Sequence, residues 1–353
     1  MGKASWASIC MVVALGACGG GSSNGDGLAA ATPAGQQEGN ATVVQRYTNE
    51  KAVQGDSFTR KETYSFSDSN SKPLTSYFTN YYQTVNADHS GLFVQTNSDP
   101  MFIRRRYYFT ADGITKDADA SEQPSCVSEP SVAAVPSTLT PGQRWDNSWT
   151  RTCTTGTGKT VDMVRNTGSA TALETITVAA GTFQTIKEEN TWTEILDASR
   201  STAKLEQVEQ CWIDTVMGVA VKCTQTAVAT PRDTSLKSKS GSATIELIAY
   251  DASRFPGSIR NPARFAGGWN AGLTEANTEN CSSLTIDTKG ELTGTCRFVD
   301  GWYVAVEGAV DADGVLKASS SDGVTISGKL TPVDGSVEWS ANGGRGAWSM
   351  AHK

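Results

Sequence analysis

Histidine is nearly absent from this 353-residue chain, which has only His89 and His352. Imidazole is the usual base for a serine nucleophile and a common zinc ligand, so its scarcity weighs against two large classes of chemistry. His89 sits in Asn86-Ala87-Asp88-His89-Ser90-Gly91, a turn by composition, and His352 is next to the last residue. Neither lies in a nucleophile motif such as Gly-x-Ser-x-Gly. No Cys-x-x-Cys pair occurs, which leaves a zinc site few ligands to draw on. Basic residues are outnumbered, 30 Lys and Arg against 37 Asp and Glu, for a formal charge of −7. A nucleic acid partner would call for the opposite balance. No apolar run reaches the roughly 20 residues of a spanning helix, and no segment carries a convincing amphipathic helical period.

Fragments that imitate known sites fail on inspection. Gly156-Thr157-Gly158-Lys159-Thr160 ends like a phosphate-cradling loop, but the first glycine such a loop requires falls on Cys153, so a plain turn is the stronger reading and no nucleotide is expected. Asp311-Ala312-Asp313-Gly314 starts like a calcium loop whose later ligands, the closing Glu among them, are missing. Arg104-Arg105-Arg106 is the one basic run; on a strand, Arg104 and Arg106 share a face and Arg105 takes the other, which reads as a solvated or ion-paired strand. Glu188, Glu189, Glu194, Glu206 and Glu209 offer many carboxylate pairs and no way to choose among them. Acids on strands usually face solvent, and that is the expectation for these five. No catalytic residue, metal or cofactor is expected.

What is present begins at the first residues. MGKASWASICMVVALGAC sets Lys3 before a short apolar stretch, Ile9 to Leu15, that ends in small residues. This is the build of a cleavable signal peptide over residues 1–17, not of a spanning helix. A myristoylation reading of Met1-Gly2 fails at Trp6, where Ser or Thr is wanted. With these flanks, Leu15-Gly16-Ala17-Cys18 resembles the cleavage and lipidation site of bacterial lipoproteins. The resemblance implies a lipid on Cys18, and several acyl chains on one residue anchor a protein stably. In that family an aspartate straight after the cysteine often retains the protein at the inner membrane. Gly19 stands there instead, so the implied partner is the outer membrane, with the body facing the periplasm or the cell surface. Residues 18–42, rich in Gly, Ser, Ala, Gln and Asn, read as a lipidated flexible tether.

Cys10 leaves with the leader and Cys18 takes the lipid, so six of the eight cysteines remain for the body, an even number suited to an oxidising compartment. Their spacings suggest Cys126 with Cys153, Cys211 with Cys223, and Cys281 with Cys296. Asp287-Thr288-Lys289-Gly290 has the glycine placement of a type I turn closed by a left-handed residue, and folding about it brings Cys281 close to opposite Cys296. Cys211 and Cys223 flank a turn near Asp214 to Gly218 in the same way. Opposed residues of an antiparallel pair come within disulfide range. Cys126 with Cys153 follows mainly by elimination.

From Val43 onward, short alternating runs rich in Thr, Val, Tyr, Phe and Trp are separated by Gly, Asp, Asn, Ser or Pro, which is the pattern of strands and turns. The expected strands include Phe58 to Phe66, Ser76 to Val85, Gly91 to Thr96, Met101 to Thr110, Thr171 to Ala179, Phe183 to Leu196 and Leu205 to Ile213. Asp117 to Gly142, with its prolines, reads as a long crossing loop. After Phe265, the turns at Asp287, Asp311 and Asp334 recur at intervals of 24 and 23 residues. With Phe265 to Thr274 before them and Gly346 to Ala351 after, they give eight strands that can close on themselves. The fold class is therefore all-β: a large antiparallel sheet domain at 43–250, a linker at 251–264, and a small eight-stranded up-and-down barrel at 265–353. Leu139-Thr140-Pro141-Gly142-Gln143-Arg144-Trp145, Val178 to Lys187, Cys211-Trp212-Ile213 and Gly218 to Lys222 also resemble a pattern in β-rich envelope lipoproteins, which implies one large sheet and no chemistry.

Tryptophan supplies the remaining lead. Trp145, Trp149, Trp192 and Trp212 fall in the sheet domain; Trp269, Trp302, Trp339 and Trp348 fall on the barrel strands. The barrel four either line a small ligand pocket or fill a tapering core, and a short barrel favours filling. The leading expectation is a lipid-anchored envelope protein with a non-catalytic binding or envelope-assembly role, its partner an envelope protein or an apolar or glycan ligand. A carrier of lipid or another apolar ligand predicts a roomy concave face. A glycan-processing hydrolase predicts two carboxylates about 5–10 Å apart in one cleft. Cys18→Ala is expected to move the protein from the membrane fraction to the soluble one on cell fractionation; unchanged fractionation contradicts the anchor.

Overall fold

The computed structural model describes residues 43–67, 72–99, 104–110, 113–117, 125–130, 135–155, 158–255, 257–272, 280–298, 301–341 and 343–353. The leader, Cys18 and the tether lie outside the described residues. Within them, regular structure is strand apart from two short 3₁₀ turns, Asn49–Lys51 and Pro262–Phe265. The first part of the chain forms β1 (Val44–Gln45), β2 (Ser57–Phe66), β3 (Leu74–Val85), β4 (Gly91–Asn97), β5 (Arg105–Thr110), β6 (Gly113–Asp117), β7 (Ser125–Glu129) and β8 (Thr138–Leu139). It continues through β9 (Arg144–Thr155), β10 (Gly158–Val178), β11 (Gly181–Ile195), β12 (Thr202–Asp214), β13 (Ala220–Pro231) and β14 (Lys239–Asp251). The last part forms β15 (Gly267–Ala271), β16 (Cys281–Ile286), β17 (Glu291–Arg297), β18 (Tyr303–Val310), β19 (Val315–Ser319), β20 (Thr325–Leu330), β21 (Asp334–Ala341) and β22 (Gly344–His352).

Twelve strands make one antiparallel sheet in the order β6-β5-β4-β3-β2-β14-β13-β12-β11-β10-β9-β7. Phe93 on β4 and Glu209 on β12 are five strand spacings apart, roughly 24 Å in a flat sheet. Both line one internal chamber of about 70 Å³, so the sheet curls. A two-stranded plug, β1 paired with β8, sits in the curl. Its Val44 and Leu139 are fully buried against Phe78, Ile186, Ile213 and Ile245.

Several strand boundaries differ from those expected. The stretch from Asp117 to Gly142 is not all loop, because it contains β7 and β8. Between β6 and β7 the chain passes from one edge of the sheet to the other, and Cys126, directly opposite Cys153, is bonded to it and fastens the new edge strand. β10 is 21 residues long, twice the expected strand, because an irregularity between Ala170 and Leu173 lets its pairing with β11 continue past a local slip. The linker is pinned: Asp251 accepts hydrogen bonds from Arg260 (2.9 Å) and from the buried Arg264 (3.1 Å), and Arg260 also reaches Asp313 of the barrel (2.7 Å).

The last eight strands close into a barrel. Phe265, expected to open its first strand, belongs instead to a 3₁₀ turn, where Pro262 fixes the backbone and the Asn261 side chain caps Ala263 N (2.9 Å). The turn expected over Val333 to Ser336 lies upstream, since Asp334 and Gly335 are already in β21. Val333 is buried, and the Thr331 hydroxyl donates to the Asp334 carboxylate at 2.6 Å, which fixes the corner. Trp269 and Trp348 are buried, and Trp302 and Trp339 pack against the same core around Phe298. About 10 Å³ stays unfilled inside. The four tryptophans fill the barrel, and the pocket alternative has no room. Cys211 is bonded to Cys223 and Cys281 to Cys296. Non-reducing peptide mapping is expected to recover these pairs. Removing the 15-residue crosslink with Cys281→Ala/Cys296→Ala is expected to cost about 3 kcal/mol, read as a lowered Tm; an unchanged Tm contradicts a crosslinked barrel core.

Candidate functional site

Side chains alternate along a strand, so the register decides which residues share the inner face of the curl. One row across the sheet runs Glu188, Cys211, Cys223, Ile245, Glu62, Ser76. The next runs Trp145, Gly168, Asn190, Glu209, Gln225, Ala243. A third runs Asn166, Trp192, Gln207, Ala227, Gly241, Phe66. Over β9 to β13 the inner face is therefore lined largely with amides, carboxylates and tryptophan rings, while over β2 to β5 it carries a second apolar core that includes Phe58, Tyr82, Phe93 and Phe109.

These polar groups form a connected network. Arg46, just after β1, is ion-paired with Glu188, which is 1 % exposed. Glu188 also accepts a hydrogen bond from the Asn190 side-chain amide. Asn190 Oδ1 accepts from Trp145 Nε1 (3.2 Å), which also donates to Asn166 Oδ1 (2.8 Å). Gln225 donates to Glu209 at 2.6 Å. Burial pushes the Glu209 carboxyl above its usual range, against the pull of Gln225, Arg46 and Asn190. Gly168 is required beneath Trp145, since a Cβ there would lie 2.4 Å from the indole. Trp145, Trp149 and Trp192 are half-buried, with Trp149 and Trp192 edge to face at 6.2 Å.

The expectation that all five glutamates face solvent is corrected for three of them, Glu188, Glu194 and Glu209. Glu188 and Glu209 are buried on the inner face because their strands pair in this register under the plug. Glu189 and Glu206 stay on the outer face, and Glu194, half-buried, pairs with Arg151 at 2.9 Å. Trp212 packs, half-buried, against the second apolar core and donates to Glu174 (2.9 Å). Arg105 contacts the Tyr107 hydroxyl at 3.5 Å. Gly158-Lys159-Thr160 opens β10 opposite Thr155, Thr154 and Cys153, a strand where a phosphate loop would continue into a helix. The Asp311 carboxylate accepts the backbone N–H of Asp313 and Val315, both at 2.9 Å, so it serves the turn. His352, given no role by sequence reasoning, is buried edge to face with Trp269 at 5.0 Å. No signal in the sequence marked the amides Asn166, Asn190, Gln207 and Gln225 as interior; only the register does. A shallow depression of about 620 Å³ beside Arg144, Asp146 and Gln210 opens mainly on the outer face.

No family model matches the chain, and no curated protein matches it. Two solved structures are similar to part of it. The hypothetical lipoprotein YmcC from Escherichia coli is 10 % identical, covering 56 % of this chain and 91 % of its own, with a TM-score of 0.28. A provisionally named lipoprotein from Parabacteroides distasonis is 10 % identical, covering 56 % of this chain and 96 % of its own, with a TM-score of 0.32. Likenesses this distant carry no assignment, and the functional reading rests on the geometry.

Glu62, on the inner face with one carboxylate oxygen unpartnered, is pushed by burial from 4.5 to about 7. A carboxyl raised on folding favours the folded state while it is protonated. Its contribution is full below about 4.5 and is lost as pH rises to about 7. Glu62→Gln is expected to be more stable than the parent at pH 8, by roughly 2–3 kcal/mol, and little different at pH 4.5. Chemical denaturation at the two values checks this; an equal difference at both contradicts it.

Proposed function

We propose that this chain is a lipid-anchored protein of the bacterial envelope that holds a neutral, polyhydroxylated ligand, a glycan, against the inner face of its large sheet without cleaving it. The observation that carries this reading is the mixture on that face: half-buried tryptophans beside amide and carboxylate side chains, all on adjoining rows. Aromatic faces stack on the C–H surfaces of sugar rings, and planar amides and carboxylates meet their hydroxyl groups. The leader that resembles those of lipoproteins supports the anchor, and Gly19 supports the outer membrane as its location.

An apolar carrier fits less well, because the chamber of about 70 Å³ and the barrel interior of about 10 Å³ leave no space for an acyl chain. A hydrolase fits less well because the carboxylates beside the tryptophans are already engaged, Glu188 by Arg46 and Asn190, Glu209 by Gln225 and Glu194 by Arg151. A general acid needs its proton within reach of the substrate oxygen, and these side chains are committed to the wall of the site. The full chain in detergent, titrated with cellotetraose and chitotetraose, is expected to show quenched tryptophan fluorescence and no release of reducing ends. Trp149→Ala is expected to weaken binding about tenfold. Saturable uptake of phospholipid with no response to either sugar would overturn the reading in favour of a carrier.

A further inference from the structure

Two hydrogen-bond donors on the inner face have nothing to donate to. Trp192 on β11 and Gln207 on β12 are directly opposite one another, which sets their Cβ atoms roughly 4.5–5.5 Å apart. Trp192 Nε1 and Gln207 Nε2 are both buried and unpartnered. Gln207 is 7 % exposed, so water reaches little of it. The adjoining polar groups are all in use: Trp145, Asn166, Asn190, Glu209 and Gln225 bond to one another or to their neighbours. Glu62, Ser76 and Glu188 also keep one atom each outside any hydrogen bond, but on a separate row; Trp192 and Gln207 face each other, and buried donors left unpaired in a native structure call for an explanation.

The surroundings of the pair are shaped as well. Beyond Gln207 its row continues through Ala227 and Gly241, which put no bulk on the inner face. Phe66 closes the far side, its ring so near Gly241 that a Cβ there would lie 3.3 Å away. Trp149 stands edge to face with Trp192 on the near side. The row therefore has two N–H groups at one end, small residues beyond them and aromatic rings on either side. Both atoms can only donate, so the group they take is an acceptor. They lie below the surface, so that group arrives on a slender arm while a ring stays above on the half-exposed indoles. Glu209 occupies the adjoining row, and a neutral carbonyl suits that neighbourhood better than a carboxylate.

We propose that Trp192 and Gln207 clamp the carbonyl of an acetamido group, its methyl resting over Ala227 and Gly241, so that the glycan bound here carries N-acetylated sugars. This deepens the glycan reading and rests on it. Discrimination would come from the donors themselves, because an analogue without the carbonyl leaves both unpaired.

The test uses the full chain in detergent and calorimetric titration with four probes: chitotetraose, its fully de-N-acetylated counterpart, cellotetraose and tetragalacturonate. Chitotetraose is expected to bind at least about tenfold more tightly than the other three. Trp192→Phe keeps an aromatic ring and removes the N–H; Gln207→Met keeps the length and removes the amide. Each is expected to weaken chitotetraose about five- to tenfold more than it weakens cellotetraose. Near-ultraviolet circular dichroism like that of the parent shows that the variants fold. Equal binding of chitotetraose and cellotetraose, insensitive to both variants, overturns the acetamido clamp and leaves the glycan reading standing. Preference for chitotetraose that both folded variants retain overturns the assignment to this pair. Tighter binding of tetragalacturonate overturns the neutral-carbonyl argument, and no binding of any sugar overturns both readings together.

Discussion

The structure depends on a charge taken into the fold by its first described strand. Arg46 follows β1 into the curl and meets Glu188, a carboxylate almost wholly removed from water. Burying that charge alone would be strongly unfavourable, and breaking such a pair by removing one partner costs about 3–5 kcal/mol. The pair therefore ties two decisions together: the plug must be in place for Glu188 to be tolerated, and Glu188 must face inward for the plug to have a partner. Once β1 and β8 are seated, Val44 and Leu139 supply an apolar floor beside the aromatic core of Phe58, Tyr82 and Phe93, and the inner face over β9 to β12 has no need to be apolar. The polar network follows from that division of labour.

The two parts of the chain were not equally legible in sequence. The barrel could be read because each strand end carries its own local signal: Gly290 and Gly314 both take the left-handed backbone that their turns require, and buried or half-buried residues alternate with exposed ones along β17 to β19. The cysteine pairs could be read for the same reason, since a tight turn fixes which residues oppose each other. The inner-face network could not. On β11, Lys187, Glu188, Glu189 and Asn190 are polar in succession, so alternation names no inner side. Their facing is set by Glu188 opposite Cys211 and Asn190 opposite Glu209, and by a plug that arrives from far away in sequence. The rule that acids on strands face water assumes an apolar core on the other side, and here that side is shared between a small plug and a polar lining.

Length also misled. An alternating run announces a strand and not where its pairing ends, so β10 was recognised only over its second half. The loop from Asp117 to Gly142 hid β7 because a five-residue edge strand with an exposed Val127 has no buried side to betray it. What holds β7 is a covalent bond to β9, which spacing suggested and alternation did not.

The seam between β2 and β14 carries a mechanical consequence. Ser57 is paired with Asp251, so the chain entering β2 from the plug and the chain leaving β14 for the barrel meet at the same end of the same two strands. Tension applied between the plug and the barrel would run through a few residues there, from Ser57 across to Asp251 and on through Arg260 and Arg264. The load would peel that seam open one hydrogen bond at a time, and on the plug side it would reach β11 as well, through the ion pair of Arg46 with Glu188.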